Sequence, residues 1–356
     1  MPPLLSIQSL VKRFVPGGPP AVDGISLDVA TGEILAILGP SGCGKTTTLR
    51  LIAGFERPDD GQILINGVAI SSPRMHVPPE RRDVGLIFQD YALFPHLSVS
   101  ENVAFGLRGL PAMERATRVK ELVGLVGLTG LENRQPHHLS GGQQQRVAVA
   151  RTLATAPALI LMDEPFSNLD ALMRQGTRQE IRTILKSTGA TTILVTHDQE
   201  EALSFADRVA VMKDGRVEQV GTPEQVYHEP RTLFVAQFLG RTNLLVCDAS
   251  GEFADTPIGR IRLNRPADGE VLLALRPEHV ALDAAVRDSG NALGTVIEKE
   301  FRGHDVTYRV DVDGITYLAH MHNRESFLPG ERVSVHVTEP AVVLERDDVQ
   351  STHAGS

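Results

Sequence analysis

Only two cysteines, Cys43 and Cys247, occur in 356 residues, too few for a disulfide framework. Long apolar runs are missing as well. The longest stretch without a charged residue is 61–73, and it contains Asn66 and two glycines, whereas a membrane-spanning helix needs about 20 apolar residues. Positive charge is in deficit, with 35 basic against 44 acidic residues. Residues 1–240 hold 23 basic and 25 acidic groups and residues 241–356 hold 12 and 19, so neither part carries the basic stripe of a nucleic-acid binder. The N-terminus, MPPLLSIQSLVKRF, puts its basic residues after its apolar ones, the reverse of an export signal. A cytoplasmic chain is expected. There is no internal repeat and no low-complexity segment. With 42% apolar and 22% charged residues the chain can bury sizeable cores, and its length suggests two domains.

The first 240 residues alternate short apolar runs with longer helix-like segments, the pattern of an α/β domain built on a largely parallel sheet. EILAIL (33–38), ALILM (158–162), TTILV (191–195) and RVAVM (208–212) are expected strands. Residues 44–53, 143–154 and 171–185 are expected helices. After Gly240 the texture changes to short segments punctuated by Gly and Asp, such as VLLALR (271–276), DVTYRVDV (305–312) and VSVHV (333–337). This part is expected to be a small β barrel over 241–346, followed by a frayed tail, 347–356.

Residues Gly39, Pro40, Ser41, Gly42, Cys43, Gly44, Lys45 and Thr46 match the phosphate-loop pattern GxxxxGK[ST], directly after one expected strand and opening a helix that continues with Thr47. Small residues let successive backbone N–H groups converge on phosphate oxygens, and the helix N-terminus adds its positive dipole end. Lys45 would reach the β- and γ-phosphates and the Thr46 hydroxyl would ligate Mg²⁺. Cys43 reads as a tolerated small side chain. The expected strand ALILM runs into Asp163 and Glu164, two carboxylates at the sheet edge where parallel α/β folds hold ligands. Asp163 suits a Mg²⁺-holding role and Glu164 that of a general base toward water. Strand TTILV ends similarly at His197.

Leu139-Ser140-Gly141-Gly142-Gln143, followed by QQRVAVAR, resembles the signature of ABC ATPases. The resemblance covers residues 4 to about 240. It implies a P-loop NTPase domain with a helical signature subdomain, in which Ser140, Gly141, Gly142 and Gln143 form a second phosphate cradle. It places Gln89 in the loop that senses Mg²⁺ and nucleotide, Asp170 in the loop Ser167-Asn168-Leu169-Asp170 (with Asn168 where Ala is more frequent), His197 as the switch histidine and Phe14 as the ring that stacks on adenine. For Phe14 a plain core position is the competing reading. Residues 241–356 resemble the β-rich, OB/barrel-like TOBE domain of importer ATPases of the ferric-iron, polyamine and sugar type, through FLGRTNLL and LRPEHVAL. The phrases AGFERPDDG, PPERRDVGLIFQDYALFPHLSV and PHHLSGGQQQR lean toward the ferric-iron branch.

The resemblance further implies a head-to-tail homodimer with ATP between one copy's phosphate loop and the other's signature. It implies permease subunits docking near residues 89–100, an external substrate-binding protein, and a peripheral place on the cytoplasmic face of the inner membrane. A soluble ABC ATPase acting on DNA or ribosomes is the alternative; those relatives usually carry two cassettes or a coiled-coil insertion, and this chain has neither. The C-terminal part could also be a regulatory binding module. His320 and His322, two apart on an expected strand, face one side and could chelate a metal.

Overall fold

The computed structural model describes residues 2–285, 291–322 and 326–345; the segment 347–356 lies outside them. Contacts divide the chain into two units, Met1–Pro223 and Glu224–Ser356.

The first unit holds two sheets. In the six-stranded one the order is Arg216–Gly221, Arg208–Lys213, Ile34–Leu38, Thr192–Thr196, Leu159–Asp163 and Val84–Ile87. Every neighbouring pair is parallel except the first. Ile34–Leu38 and Thr192–Thr196 are buried along their whole lengths, as strands covered on both faces must be. The four strands read from sequence are all present within a residue or so of their expected ends.

A second sheet, antiparallel, was not apparent from the sequence: Val22–Val29, Leu5–Lys12, Asp60–Ile65 and Val68–Ser71. The reason is local. Ser9 has φ of 47° and the pairing register shifts between Ile7 and Leu10. This bulge returns Leu10 to the core side and breaks the two-residue alternation. Both sheets of this unit feed one core that includes Leu5, Ile7, Leu10, Leu35, Ile37, Leu49 and Ile193. The helical part comprises Val99–Ala104, Ala112–Leu125 and Gly141–Ala154.

The helix that follows the phosphate loop, Lys45–Ala53, is anchored at its far end by Arg82, which is only 2% exposed. Its guanidinium donates to the carbonyls of Leu51 (2.7 Å), Ile52 (2.8 Å) and Val77 (2.6 Å). Two of these are orphan acceptors of the helix C-terminus, where a cation is also favoured by the dipole. Burial lowers the Arg82 pKa to about 10, so it stays charged at neutral pH. Gly54, with φ of 92°, ends the helix against this guanidinium.

In the second unit, helices Pro223–His228 and Leu233–Phe238 precede a β-rich body with no α-helix after residue 240 among the described residues. Arg276, 4% exposed, donates to the carbonyls of Tyr227 (2.8 Å) and Ala236 (2.9 Å). This buried cation explains why residues 224–240 group with the C-terminal unit although the composition changes only at Gly240. The body has a three-stranded antiparallel sheet, Asn243–Thr256, Gly259–Leu275 and Val342–Val343. A five-stranded one follows the order Val280–Ala284, Arg332–Val337, Ala292–Phe301, Asp305–Val312 and Ile315–His322. They share one core with Tyr308 and Tyr317 fully buried, the barrel-like arrangement expected. No helix among the described residues is long and apolar enough to cross a membrane.

Removing the Arg82 guanidinium leaves three carbonyls without their partner, each worth roughly 1 to 3 kcal/mol if it stays buried and unpaired. Arg82→Met should therefore destabilise the first unit by about 3 kcal/mol, measured as a lowered urea midpoint; an unchanged midpoint would show the anchor is dispensable.

Candidate nucleotide-binding site

The loop before helix Lys45–Ala53 is shaped by glycine. Gly44 has φ of 104°, a left-handed conformation costly for residues with a β-carbon, and a side chain there would overlap the Ala21 carbonyl. No side chain caps this helix, so its first N–H groups are left to an anion. Lys45, 6% exposed, donates to the carbonyls of Gly39 (2.8 Å) and Pro40 (2.9 Å), curling back over the loop. Cys43 is buried, which raises its thiol pKa, with Lys45 pulling the other way.

Asp163 ends the strand Leu159–Asp163, and the nearby Thr46 hydroxyl favours its ionised form. Burial, then the charge of Glu164, raise its pKa, opposed by Arg50, Thr46 and Lys45. Two hard oxygen donors from different elements therefore meet beside the loop, a donor set suited to Mg²⁺. Glu164 follows with φ of 45°, a left-handed conformation costing about 1 to 3 kcal/mol that tends to cluster at active sites. Its Oε1 lies 2.9 Å from Nδ1 of His197, and the imidazole must donate, because an ionised carboxylate only accepts.

The strand end that presents His197 is braced from below. The Thr196 hydroxyl donates to Glu201 Oε2 at 2.8 Å, Asp198 N donates to the Thr196 oxygen at 3.0 Å, and Glu201 N donates to Asp198 Oδ1 at 3.0 Å. Arg174 and Arg178 reach Asp198 from the preceding helix, Ala171–Thr188, at 3.5 and 3.9 Å. Glu201 is buried, and its pKa rises to about 8, by desolvation first and then by Asp198.

Other predicted residues sit around this centre. Gln89 follows the strand Val84–Ile87 and is exposed. Phe14 is 58% exposed in the loop after Leu5–Lys12, which excludes a core position, and the Lys12 ammonium lies over its ring, 5.5 Å from the centroid. Asp170 caps the helix Ala171–Thr188 by accepting from Met173 N.

Ser140 caps helix Gly141–Ala154 reciprocally with Gln143. A β-carbon on Gly141 would press on Leu169 and one on Gly142 on Thr177, so the glycines permit close packing against the following loop and helix. Ser140–Gln143 make no hydrogen bond to the phosphate loop, Asp163, Glu164 or His197 of their own chain.

Sequence reading missed Arg82, Arg151, Arg174, Arg178 and Glu201; a charged residue in an apolar helical run, as Arg151 is in VAVARTLA, was the available hint. His320 and His322 lie on one strand. His322 is exposed, 3.6 Å from Asp305, and His320 Nε2 is buried without a partner. No cluster of three His, Cys, Asp or Glu that could hold a metal exists among the described residues.

A family model described as ABC transporter matches residues 22–167. The Fe(3+) ions import ATP-binding protein of Mesorhizobium japonicum is 48% identical over 313 residues, 86% of each chain. This chain belongs to the ABC transporter ATP-binding proteins. It is of the importer type, for a TOBE domain model matches residues 273–344 and other relatives are named alike. The spermidine/putrescine import ATP-binding protein of Rubrobacter xylanophilus is 46% identical over 94% of this chain and 91% of its own. The sulfate/thiosulfate import ATP-binding protein of Chromobacterium violaceum is 44% identical over 96% and 94%. Among solved structures, part of an ABC transporter complex from Clostridium perfringens aligns with TM-score 0.59 and 33% identity, covering 64% of this chain and 91% of that one. An ATP-binding cassette solved as a dimer with ADP and Pi aligns with TM-score 0.52 and 34% identity, over 62% and 98%.

The raised Glu201 pKa gives this ABC ATPase a pH signature. A carboxyl protonated in the fold but ionised in the unfolded chain stabilises fully below the ordinary carboxyl range, and that contribution is lost as pH rises toward 8. Glu201→Gln should therefore gain thermal stability relative to the parent as pH rises from 5 to 8. A constant difference in melting temperature would refute the neutral Glu201.

Proposed function

We propose that this chain is the ATP-hydrolysing, energy-coupling subunit of a binding-protein-dependent importer. The hydrogen bond between Glu164 and His197 beside the phosphate loop carries the reading. The backbone N–H groups after Gly44 and the Lys45 ammonium would hold the β- and γ-phosphates, and Phe14 would stack on the adenine. Thr46, Asp163 and Gln89 would hold Mg²⁺, whose charge, when bound, offsets that developing on the transferred phosphoryl group. Glu164 then orients a water toward the γ-phosphate, and His197 holds the carboxylate in place. Little covalent chemistry is asked of the protein, so positioning accounts for most of the effect.

The signature residues Ser140–Gly142 stand at a helix N-terminus unlinked to their own loop, which supports a head-to-tail homodimer in which they face the partner's triphosphate. The surface at 89–100 is assigned to docking of integral-membrane permease subunits, with an external substrate-binding protein acting through them. The chain accordingly works as a peripheral protein on the cytoplasmic face of the inner membrane. Ferric iron is the cargo we favour, supported by the phrases noted above and by the 48% identical relative. Polyamine and sulfate importer relatives of similar identity and the sugar importers set the competing arms.

Glu164→Gln should retain ATP binding and accumulate a stable dimer while turnover falls at least 100-fold; near-normal turnover would remove Glu164 from its role. Phe14→Ala should raise the KM for ATP roughly tenfold, from the stacking it loses, with kcat little changed. For cargo, a strain lacking this gene should lose uptake of radiolabelled ferric iron; lost uptake of putrescine, sulfate or maltose instead would reassign it.

A further inference from the structure

The loop that begins at Gln89 is held in an unusual backbone shape from two directions. Tyr91 and Ala92 are consecutive non-glycine residues with φ of 63° and 45°, each strained unless its surroundings impose it. From the signature helix, the Arg151 guanidinium donates to the carbonyls of Tyr91 (2.9 Å) and Ala92 (2.6 Å). From the opposite side, the Asn168 amide donates to the Gln89 carbonyl at 2.8 Å.

Asn168 lies four residues beyond Glu164 in a tight turn. Ser167 donates to the Glu164 carbonyl through its backbone N–H (3.2 Å) and through its hydroxyl (2.8 Å), and Leu169 N donates to Phe166 O at 3.2 Å. The turn therefore moves as one piece with the Glu164 backbone. Asn168 itself is exposed, and its amide is a side-chain link between this turn and the Gln89 loop. The neighbouring Arg174 ties the same turn to the histidine side, donating to Leu169 O at 2.9 Å while lying 3.5 Å from Asp198.

We propose that Asn168 is a positioning residue: its amide transmits displacement of the Gln89 loop to the turn that carries Glu164, so that hydrolysis answers to the state of that loop. This deepens the functional reading above and rests on it. A residue of this kind affects the chemical step rather than nucleotide affinity, because it touches neither the phosphate loop nor Phe14.

The test uses the full chain. Asn168→Asp keeps the shape but removes the donor, and Asn168→Ala removes the polar group. Loss of one hydrogen bond should lower kcat about five-fold, with KM for ATP within twofold and melting temperature within a few degrees. The chain contains no tryptophan, so Phe88→Trp, at a 40% exposed position next to Gln89, gives a single reporter of the loop. In a Phe88→Trp, Glu164→Gln background, ATP should shift the emission, and adding Asn168→Asp should cut the response at least threefold. Unchanged kcat, a fall in kcat with an undiminished emission response, or a rise in KM that accounts for the whole effect would each overturn the proposal. If the reporter is silent to ATP with Asn168 intact, the kinetic split alone decides. Failure of the underlying reading would show separately, as turnover retained by Glu164→Gln.

Discussion

Hydrogen-bond register across four adjacent parallel strands governs the arrangement of this molecule. Leu38 pairs with Thr196, Val195 with Asp163, and Met162 with Ile87. Parallel strands all point the same way, so every segment that leaves a strand's C-terminal end emerges on one edge of the sheet. The phosphate loop, the Asp163–Glu164 pair, His197 and Gln89 are thus delivered to one place although they lie up to 158 residues apart in the chain. A slip of one residue in any pairing would exchange the side chains on the two packed faces of the strand and move the loop at its end by one residue. The complete burial of Ile34–Leu38 and Thr192–Thr196 makes such a slip costly.

At that edge and at the opposite one, arginines do work that apolar packing cannot. Arg82 closes the C-terminal end of the phosphate-loop helix, Arg151 holds the left-handed pair Tyr91 and Ala92, and Arg174 spans from the turn after Glu164 to Asp198. A guanidinium offers five donors in a rigid fork, and each of the three binds carbonyl oxygens that helices or turns leave over. The result is a set of loops whose backbones are fixed by several partners, while the groups that would meet nucleotide, His197 and Phe14, stay open to solvent. Preorganised backbone with exposed chemistry suits the function proposed above, in which the site would admit a triphosphate and a second protein surface together.

Much of this was legible beforehand because the informative patterns are short-range. A strand buried on both faces reads as an apolar run, and a phosphate cradle needs its glycines, lysine and threonine consecutive. The antiparallel sheet was hidden because the bulge at Ser9 broke the alternation that would have revealed it. The contact boundary at 223/224 precedes the change of composition at Gly240 because Arg276 fastens Tyr227 and Ala236 to a strand end forty to fifty residues later. For Phe14 the competing core reading fell only to its exposure, which the sequence does not carry.

What the sequence by itself determined was the chemistry at hand: the triphosphate cradle, the carboxylate pair, the histidine, the signature and the resemblance to importer ATPases, each encoded in contiguous residues. What only the tertiary structure decided was which of these touch. The Glu164–His197 bond, the approach of Thr46 to Asp163, the grip of Arg151 on Tyr91 and Ala92 and the Asn168 link to Gln89 all join residues from different strands or loops. Such contacts depend on register, burial and backbone direction, which arise when separated segments share one core and which no local run of residues specifies.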